Sequence, residues 1–265
     1  MYATNYHRPT SVEEAARILA GATDGKYVAG GMTMIPTMKQ RLAAPSDIVD
    51  LRHIEAMRGI SVDGRKVRIG AATPHVEVAT SAAIGAVCPA LCHLAGLIGD
   101  PHVRHMGTIG GSIANNDPAA DYPAAMLALN ARIIGNGFQI DAGDFFTGLF
   151  ETALEPGQII TAIEFDAPDT AGYEKFPNPA SRYAMTGVFV ARTAAGVRVA
   201  VTGAGADGVF RQADMEAALA ANWSPAALDT VTVDPSTLLS DLHGSAEYRA
   251  NLVKVMAKRA VAAAR

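Results

Sequence analysis

Short apolar runs broken by glycine, proline and charged residues give this chain the pattern of a mixed helix-and-strand protein. Ser11-Val12-Glu13-Glu14 has the form of a capping box, in which a hydroxyl and a following carboxylate satisfy the free N–H groups of a first helical turn. Gly21 stands where that helix would stop, so residues 12–20 are expected to be helical. A strand at 26–29, a helix at 35–43 and a strand at 48–51 follow, which reads as a small α/β unit over roughly residues 1–55. Residues 61–71 alternate apolar and polar around Asp63-Gly64, the pattern of a β-hairpin.

Residues 76–83 and 89–98 read as helices, the second with Pro89 in its first turn. Asp121 is placed to cap a helix over 123–130, and strands are expected at 131–135, 138–140 and 159–165. This second module ends near Pro168-Asp169, where polarity rises. Between 183 and 206 two strand-like runs are joined by Ala195-Gly196, and residues 211–221 and 246–264 read as helices. In the last of these, Tyr248, Leu252, Val255 and Met256 share a face opposite Arg249, Lys254 and Lys258, so this C-terminal α+β module is expected to be structural or interfacial.

Composition narrows the class. With 265 residues, 49% of them apolar and 18% charged, the chain has ample material for a core and is not of disordered composition. A net charge of −4, a pI near 6.0 and the lack of a basic patch argue against a nucleic-acid partner. The N-terminal stretch lacks the charged and apolar regions of a signal peptide, and no apolar run is long enough for a membrane span. Two cysteines fit a reducing cytoplasm better than a disulfide framework.

The chemistry concentrates in two glycine pairs. Gly30-Gly31 lies in VAGGMTMI, and Gly110-Gly111 in DPHVRHMGTIGGSIANNDPAADYPAAMLALN. Gly-Gly pairs arise by chance in a chain with 25 glycines, so the signal is their surroundings. The first follows a short apolar strand and precedes a helical run; the second sits between Thr108 and Ser112. Neither loop holds Lys or Arg, so an anion bound there must be held by backbone N–H groups, as proteins cradle a pyrophosphate. The GxGxxG spacing of a Rossmann loop is missing, as is P-loop spacing followed by Lys-Ser/Thr, which argues against an ATPase or GTPase.

Other constellations weigh less. Cys88 and Cys92, with His93 adjacent, are two thiols where an iron–sulfur cluster needs four, and core packing is the expected role. His102 and His105 lack the Glu of a zincin motif, and packing or hydrogen bonding near a cofactor is the reading. His75 has no context for covalent flavin attachment, and Asp141, Asp144 and Glu151 are expected on a solvated face.

Several segments together are recognisable: YHRPTSVEEAARIL, AGGMTMIPTMKQRLAAP, VRIGAATPHVEVA, GTIGGSIANNDPAADYPAAMLAL, FFTGLFETALEPGQIITAIEF and YEKFPNPASRYAMTGV. Nearly end to end, the chain resembles the FAD-binding medium subunit of molybdenum hydroxylases, the family of aerobic carbon monoxide dehydrogenase and xanthine dehydrogenase. The resemblance implies an α+β protein with a two-subdomain FAD-binding fold of the vanillyl-alcohol-oxidase/PCMH type and a C-terminal α+β domain; module boundaries near 57 and 172, drawn from composition and periodicity, agree with that layout. It implies FAD as cofactor, with Ala29, Gly30, Gly31, Met32 and Thr33 as the first pyrophosphate loop and Thr108, Ile109, Gly110, Gly111 and Ser112 as the second. Asp121 would contact the cofactor, cap a helix, or do both; Ile160 would lie beside the flavin or in a core strand. Lys175 would stand near the isoalloxazine or in solvent.

Three positions depart from the family pattern. Many relatives carry Asp-Phe-Ala where this chain has Arg182-Tyr183-Ala184, and Met32 replaces a polar residue. The resemblance implies an electron-transfer subunit in a dimerised heterotrimer with a small [2Fe–2S] subunit and a large molybdopterin subunit. A stand-alone FAD-dependent oxidoreductase acting on a small molecule, and a scaffold without flavin, remain as alternatives.

Overall fold

The computed structural model describes residues 1–265 and contains three principal sheets. The first is parallel, with strands ordered Asn5–His7, Asp47–Asp50 and Gly25–Val28. The strand Asn5–His7 has no apolar signature and was not expected. Its side chains hold it instead: Asn5 donates to Asp47 at 3.1 Å, and the Tyr6 hydroxyl donates to Asp50 at 2.6 Å. Helix Val12–Gly21 covers this sheet, with Ser11 Oγ accepting from Glu14 N at 3.1 Å as a capping box requires. Glu14 reaches one residue further back than the box prescribes and accepts from Thr10 N at 2.8 Å. Gly21 falls within the helix, and Ala22 is the cap.

The second sheet is antiparallel, in the order Ile60–Asp63, Lys66–Gly70, Ile160–Asp166, Arg132–Gly135 and Phe138–Asp141. The hairpin around Asp63-Gly64 forms as the alternation predicts. The helix expected at 76–83 is two helices, His75–Ala79 and Ala82–Val87, because Ser81 leaves the first and caps the second through Ile84 N at 3.2 Å. One apolar cluster of 39 buried residues runs from Ala15 and Val49 of the first sheet through this module to Tyr173 and Phe189 of the third, so the three sheets share a core.

The third sheet is antiparallel, in the order Thr170–Pro177, Ala184–Thr193, Gly196–Thr202 and Phe210–Arg211. Strand Thr170–Pro177 escaped sequence reading because Gly172, Glu174 and Lys175 interrupt its apolar pattern. Gly172 is there because the strand runs against the last helix: a Cβ at that position would lie 2.0 Å from Ala260 O.

Helix Ala246–Ala263 buries Leu252, Val253, Met256, Ala257 and Ala260, but its faces are not those the sequence predicted. Tyr248 is half-exposed and Arg249 is buried. The guanidinium is paid for by partners: it donates to Met185 O at 2.6 Å, Gly203 O at 2.9 Å and Asp241 Oδ2 at 2.8 Å. Arg249→Leu leaves Gly203 O without a donor and Met185 O with only the Thr186 hydroxyl at 2.8 Å, and is expected to lower stability in urea by about 2 kcal/mol. A loss below about 1 kcal/mol would show that those carbonyls find other donors.

Candidate functional site

Where the three sheets meet lies a cleft of about 640 Å³, within the range of small-ligand pockets. Strand Gly25–Val28 delivers residues 29–33 to its wall, and Gly31 takes a left-handed conformation with φ of 70° that turns the chain into helix Met34–Lys39. Gly30 sets how close this loop comes to the second module. A Cβ at Gly30 would lie 2.3 Å from Met106 O and 2.4 Å from Gly107 Cα, so only glycine permits the contact. A Cβ on Gly111 would meet Ala29 Cβ at 3.7 Å. Residues 29–33 and 107–112, far apart in sequence, therefore adjoin along one wall.

The two segments differ in what they offer. The N–H groups of Ala29 through Thr33 lie outside helices and strands and donate to no protein acceptor. The segment around Gly110-Gly111 is not a turn but the start of helix Ile109–Asn115, with Thr108 Oγ1 as cap accepting from Gly111 N at 3.1 Å. Helix wins over glycine's low propensity because Thr108 caps it and Ile109 and Ile113 are buried. Most of its amides are used: Ile109 N donates to Thr73 O at 3.2 Å, Gly110 N to Ala71 O at 2.9 Å and Ser112 N to Thr108 O at 3.0 Å. Thr108 N remains, together with the hydroxyl of Ser112. Ile109 points into the core and does not line the cleft, whereas Thr108, Gly110, Gly111 and Ser112 do.

Asp121 lines the cleft, is 5% exposed, and occupies the N-cap position of helix Tyr122–Ala128 without capping it. Its carboxylate turns to the C-terminal sheet, where Tyr173 donates to Oδ1 at 2.5 Å and Lys175 Nζ lies 2.9 Å from Oδ1. Burial pushes the Asp121 carboxyl up from its ordinary value, and Lys175 and Tyr173 oppose that shift. Lys175 also donates to Leu97 O at 2.9 Å, and it stands behind Asp121 rather than on the lining. Ile160 lines the cleft at the start of the central strand of the second sheet.

The C-terminal module contributes Ser181, Arg182 and Tyr183. They lie on a tight loop closed by Asn178 N to Tyr183 O at 2.7 Å and Arg182 N to Asn178 O at 2.8 Å, with Arg182 at a φ of 64°. Arg182 Nη1 reaches Gly99 O at 3.4 Å on the opposite segment. Burial, with Asp117 and Asp121 nearby, raises the Tyr183 hydroxyl above its ordinary pKa.

His75 is a lining residue that sequence reasoning set aside. It begins helix His75–Ala79, donates from its backbone N to Gly107 O at 2.9 Å, and is buried beside Tyr122. Burial, with help from Arg104, holds its imidazole down to about 4. Asp117 was likewise unnoticed, since nothing in Asn-Asp-Pro marks it beyond a turn. His102 and His105 lie on helix Pro101–Met106, with His105 bonded to Pro101 O. Cys88 is buried with its thiol pushed up to about 12, and Cys92 donates to Ser81 O.

The lining suits an extended dinucleotide. A row of free amides can take phosphate oxygens, apolar walls can take rings, and Asp117 and Asp121 can accept from hydroxyl or ring N–H groups. The FAD binding domain in molybdopterin dehydrogenase matches residues 2–168. The chain belongs to this family. Its cofactor is FAD.

Outside that domain the likeness to family members continues to the C-terminal end. The chain is 36% identical to the carbon monoxide dehydrogenase medium chain of Afipia carboxidovorans, over 97% of this chain and 95% of the relative. It is 32% identical to the nicotine 6-hydroxylase medium subunit of Paenarthrobacter nicotinovorans, over 98% and 96%. The solved carbon monoxide dehydrogenase of Hydrogenophaga pseudoflava superposes with a TM-score of 0.88 at 34% identity, covering 98% of this chain and 96% of that one. These relatives are subunits of oxidoreductases, and their α+β fold is shared. No helix is long and apolar enough to cross a membrane.

His75 makes the family cleft acid-sensitive. Between pH 6.5 and about 4 the unfolded chain binds a proton that the folded chain refuses, so stability falls as pH drops through that window. The loss is expected to approach about 3 kcal/mol in urea unfolding. His75→Leu should remove that part of the slope, and an unchanged slope would place the acid sensitivity elsewhere.

Proposed function

We propose that this chain is the FAD-binding electron-transfer subunit of a molybdenum hydroxylase complex, standing between the [2Fe–2S] clusters of a small partner subunit and an external acceptor. Substrate oxidation then belongs to a separate large molybdopterin subunit, and the assembly is a dimerised heterotrimer in the cytoplasm. The observation that carries this reading is that the likeness to the carbon monoxide dehydrogenase medium chain spans the C-terminal module as well as the FAD-binding domain. Two cysteines, one of them buried with a raised thiol, are too few for an iron–sulfur cluster, which supports placing the clusters on a partner.

Bound FAD supplies the exchange between one-electron and two-electron transfer. The chain's own residues bind and orient it. Ala29, Gly30, Gly31, Met32 and Thr33 hold the diphosphate with main-chain N–H groups, joined by Thr108 and the hydroxyl of Ser112. Charge-assisted bonds of this kind contribute about 1.5–3 kcal/mol each, enough for five or six to offset desolvation of a diphosphate without a basic side chain. Gly110 lets the helix start pack on Ala71, where a Cβ would lie 2.5 Å from the Ala71 Cβ, and Gly111 leaves the space toward Ala29 open. Met32 in place of a polar residue changes little, because the bonds come from the backbone. Ile160 and Tyr183 wall the cleft, and Asp121 accepts from a donor on the cofactor.

Gly111→Val fills the space between Thr108 and Ala29 and is expected to prevent stoichiometric FAD binding while the circular dichroism spectrum stays that of the folded chain. A yellow variant with the unaltered flavin content would refute the assignment of residues 29–33 and 108–112. Purification of the native complex separates this reading from a stand-alone oxidoreductase: two partner chains should accompany the flavoprotein, whereas an enzyme that turns over alone contradicts it.

A further inference from the structure

We propose that Lys175 and Tyr173 are positioning residues that hold Asp121 as an ionised acceptor facing the cleft, so that the C-terminal sheet controls FAD binding by the other two modules. The proposal rests on the reading that FAD lies along residues 29–33 and 108–112.

Lys175 and Asp121 are only 3% and 5% exposed, and the ammonium lies 2.9 Å from Oδ1 and 3.2 Å from Oδ2. Tyr173 adds its hydroxyl on Oδ1, and Leu97 O fixes the other side of the ammonium. An ionised carboxylate has about four lone-pair positions, and these three contacts leave one for the cleft. A carboxylate in that state only accepts, so its partner on the cofactor must be a donor: a hydroxyl of the sugar-like chain or an N–H of the ring.

Strand Thr170–Pro177 presents Tyr173 and Lys175, with Glu174 acting on Tyr173. The loop at 178–183 presents Tyr183, the segment before Asp121 carries Asp117, and helix Tyr122–Ala128 begins with Tyr122. Lys175 is the one cation whose charge acts on Asp121. Without it, only the Tyr173 hydroxyl and the Asp121 backbone N–H oppose burial, and the carboxyl moves further up toward its protonated form. The charge of Lys175 is thus committed to Asp121, which explains why a lysine so deeply buried is tolerated.

The test is FAD affinity of the purified full chain, measured by flavin fluorescence from pH 6 to 9. The unaltered protein should bind with a flat profile. Lys175→Met raises the Asp121 carboxyl, so binding should weaken at least tenfold at pH 6 and recover toward pH 9 as the charge returns. Asp121→Asn/Lys175→Met has no titrating group and should bind weakly but with a flat profile. Unaltered affinity and a flat profile in Lys175→Met overturn the proposal, as does pH dependence that persists in the double variant.

Should Lys175→Met not fold, the double variant decides: weakened, flat binding supports the proposal and full affinity overturns it. A measurement on the unaltered apoprotein needs neither variant. The ¹³C carboxyl resonance of Asp121 should stay at its ionised position at pH 7, and a protonated Asp121 contradicts the assignment. Gly111→Val, run alongside, distinguishes the two readings, because full flavin content in that variant would defeat the loop assignment whatever Lys175→Met does.

Discussion

The close approach of Gly30 to the backbone of Met106 and Gly107 is the contact on which the cleft depends. It brings the turn of a parallel α/β unit against the end of a helix from an antiparallel module. A methyl group at that position would sit 2.3 Å from a backbone oxygen, well inside van der Waals contact, so the two modules would separate or the loop would move. With the contact made, the N–H groups of residues 29–33 remain without protein acceptors in a concave, partly apolar wall. These amides are open to the cleft, where an anionic ligand can take the place of water as their acceptor.

The site is economical with charge. Its lining holds Arg182 as its only lysine or arginine, and that residue lies on the C-terminal loop, away from residues 29–33 in sequence. Asp121 is matched by Lys175, and His75 is neutral above about pH 4. The C-terminal sheet also grips the segment that carries both acidic groups: Thr202 Oγ1 donates to Ala120 O at 2.6 Å and Gly203 N to Pro118 O at 2.8 Å. A module that read from sequence as structural or interfacial therefore shapes the binding surface.

Much of the fold was legible because its signals are local. The capping box at Ser11, the hairpin at Asp63-Gly64 and the strand pair about Ala195-Gly196 each depend on neighbouring residues. Strands Asn5–His7 and Thr170–Pro177 were not legible, because one is held by side-chain bonds to Asp47 and Asp50 and the other by packing against the last helix. Arg249 looked solvent-facing by periodicity, since no local pattern announces Met185 O and Gly203 O as its partners. At the site, both glycine segments were visible in sequence, but their unequal supply of amides was not. That inequality comes from Ala71 and Thr73, which take the N–H groups of Gly110 and Ile109 across the fold. Lys175 behind Asp121 is of the same kind, a long-range pairing that spacing does not reveal.

The most direct measurement is a crystal structure of the protein with FAD bound. The diphosphate oxygens should lie about 2.7–3.2 Å from main-chain N–H groups of residues 29–33 and Thr108. A diphosphate held by other residues, with those amides facing water, would contradict the account.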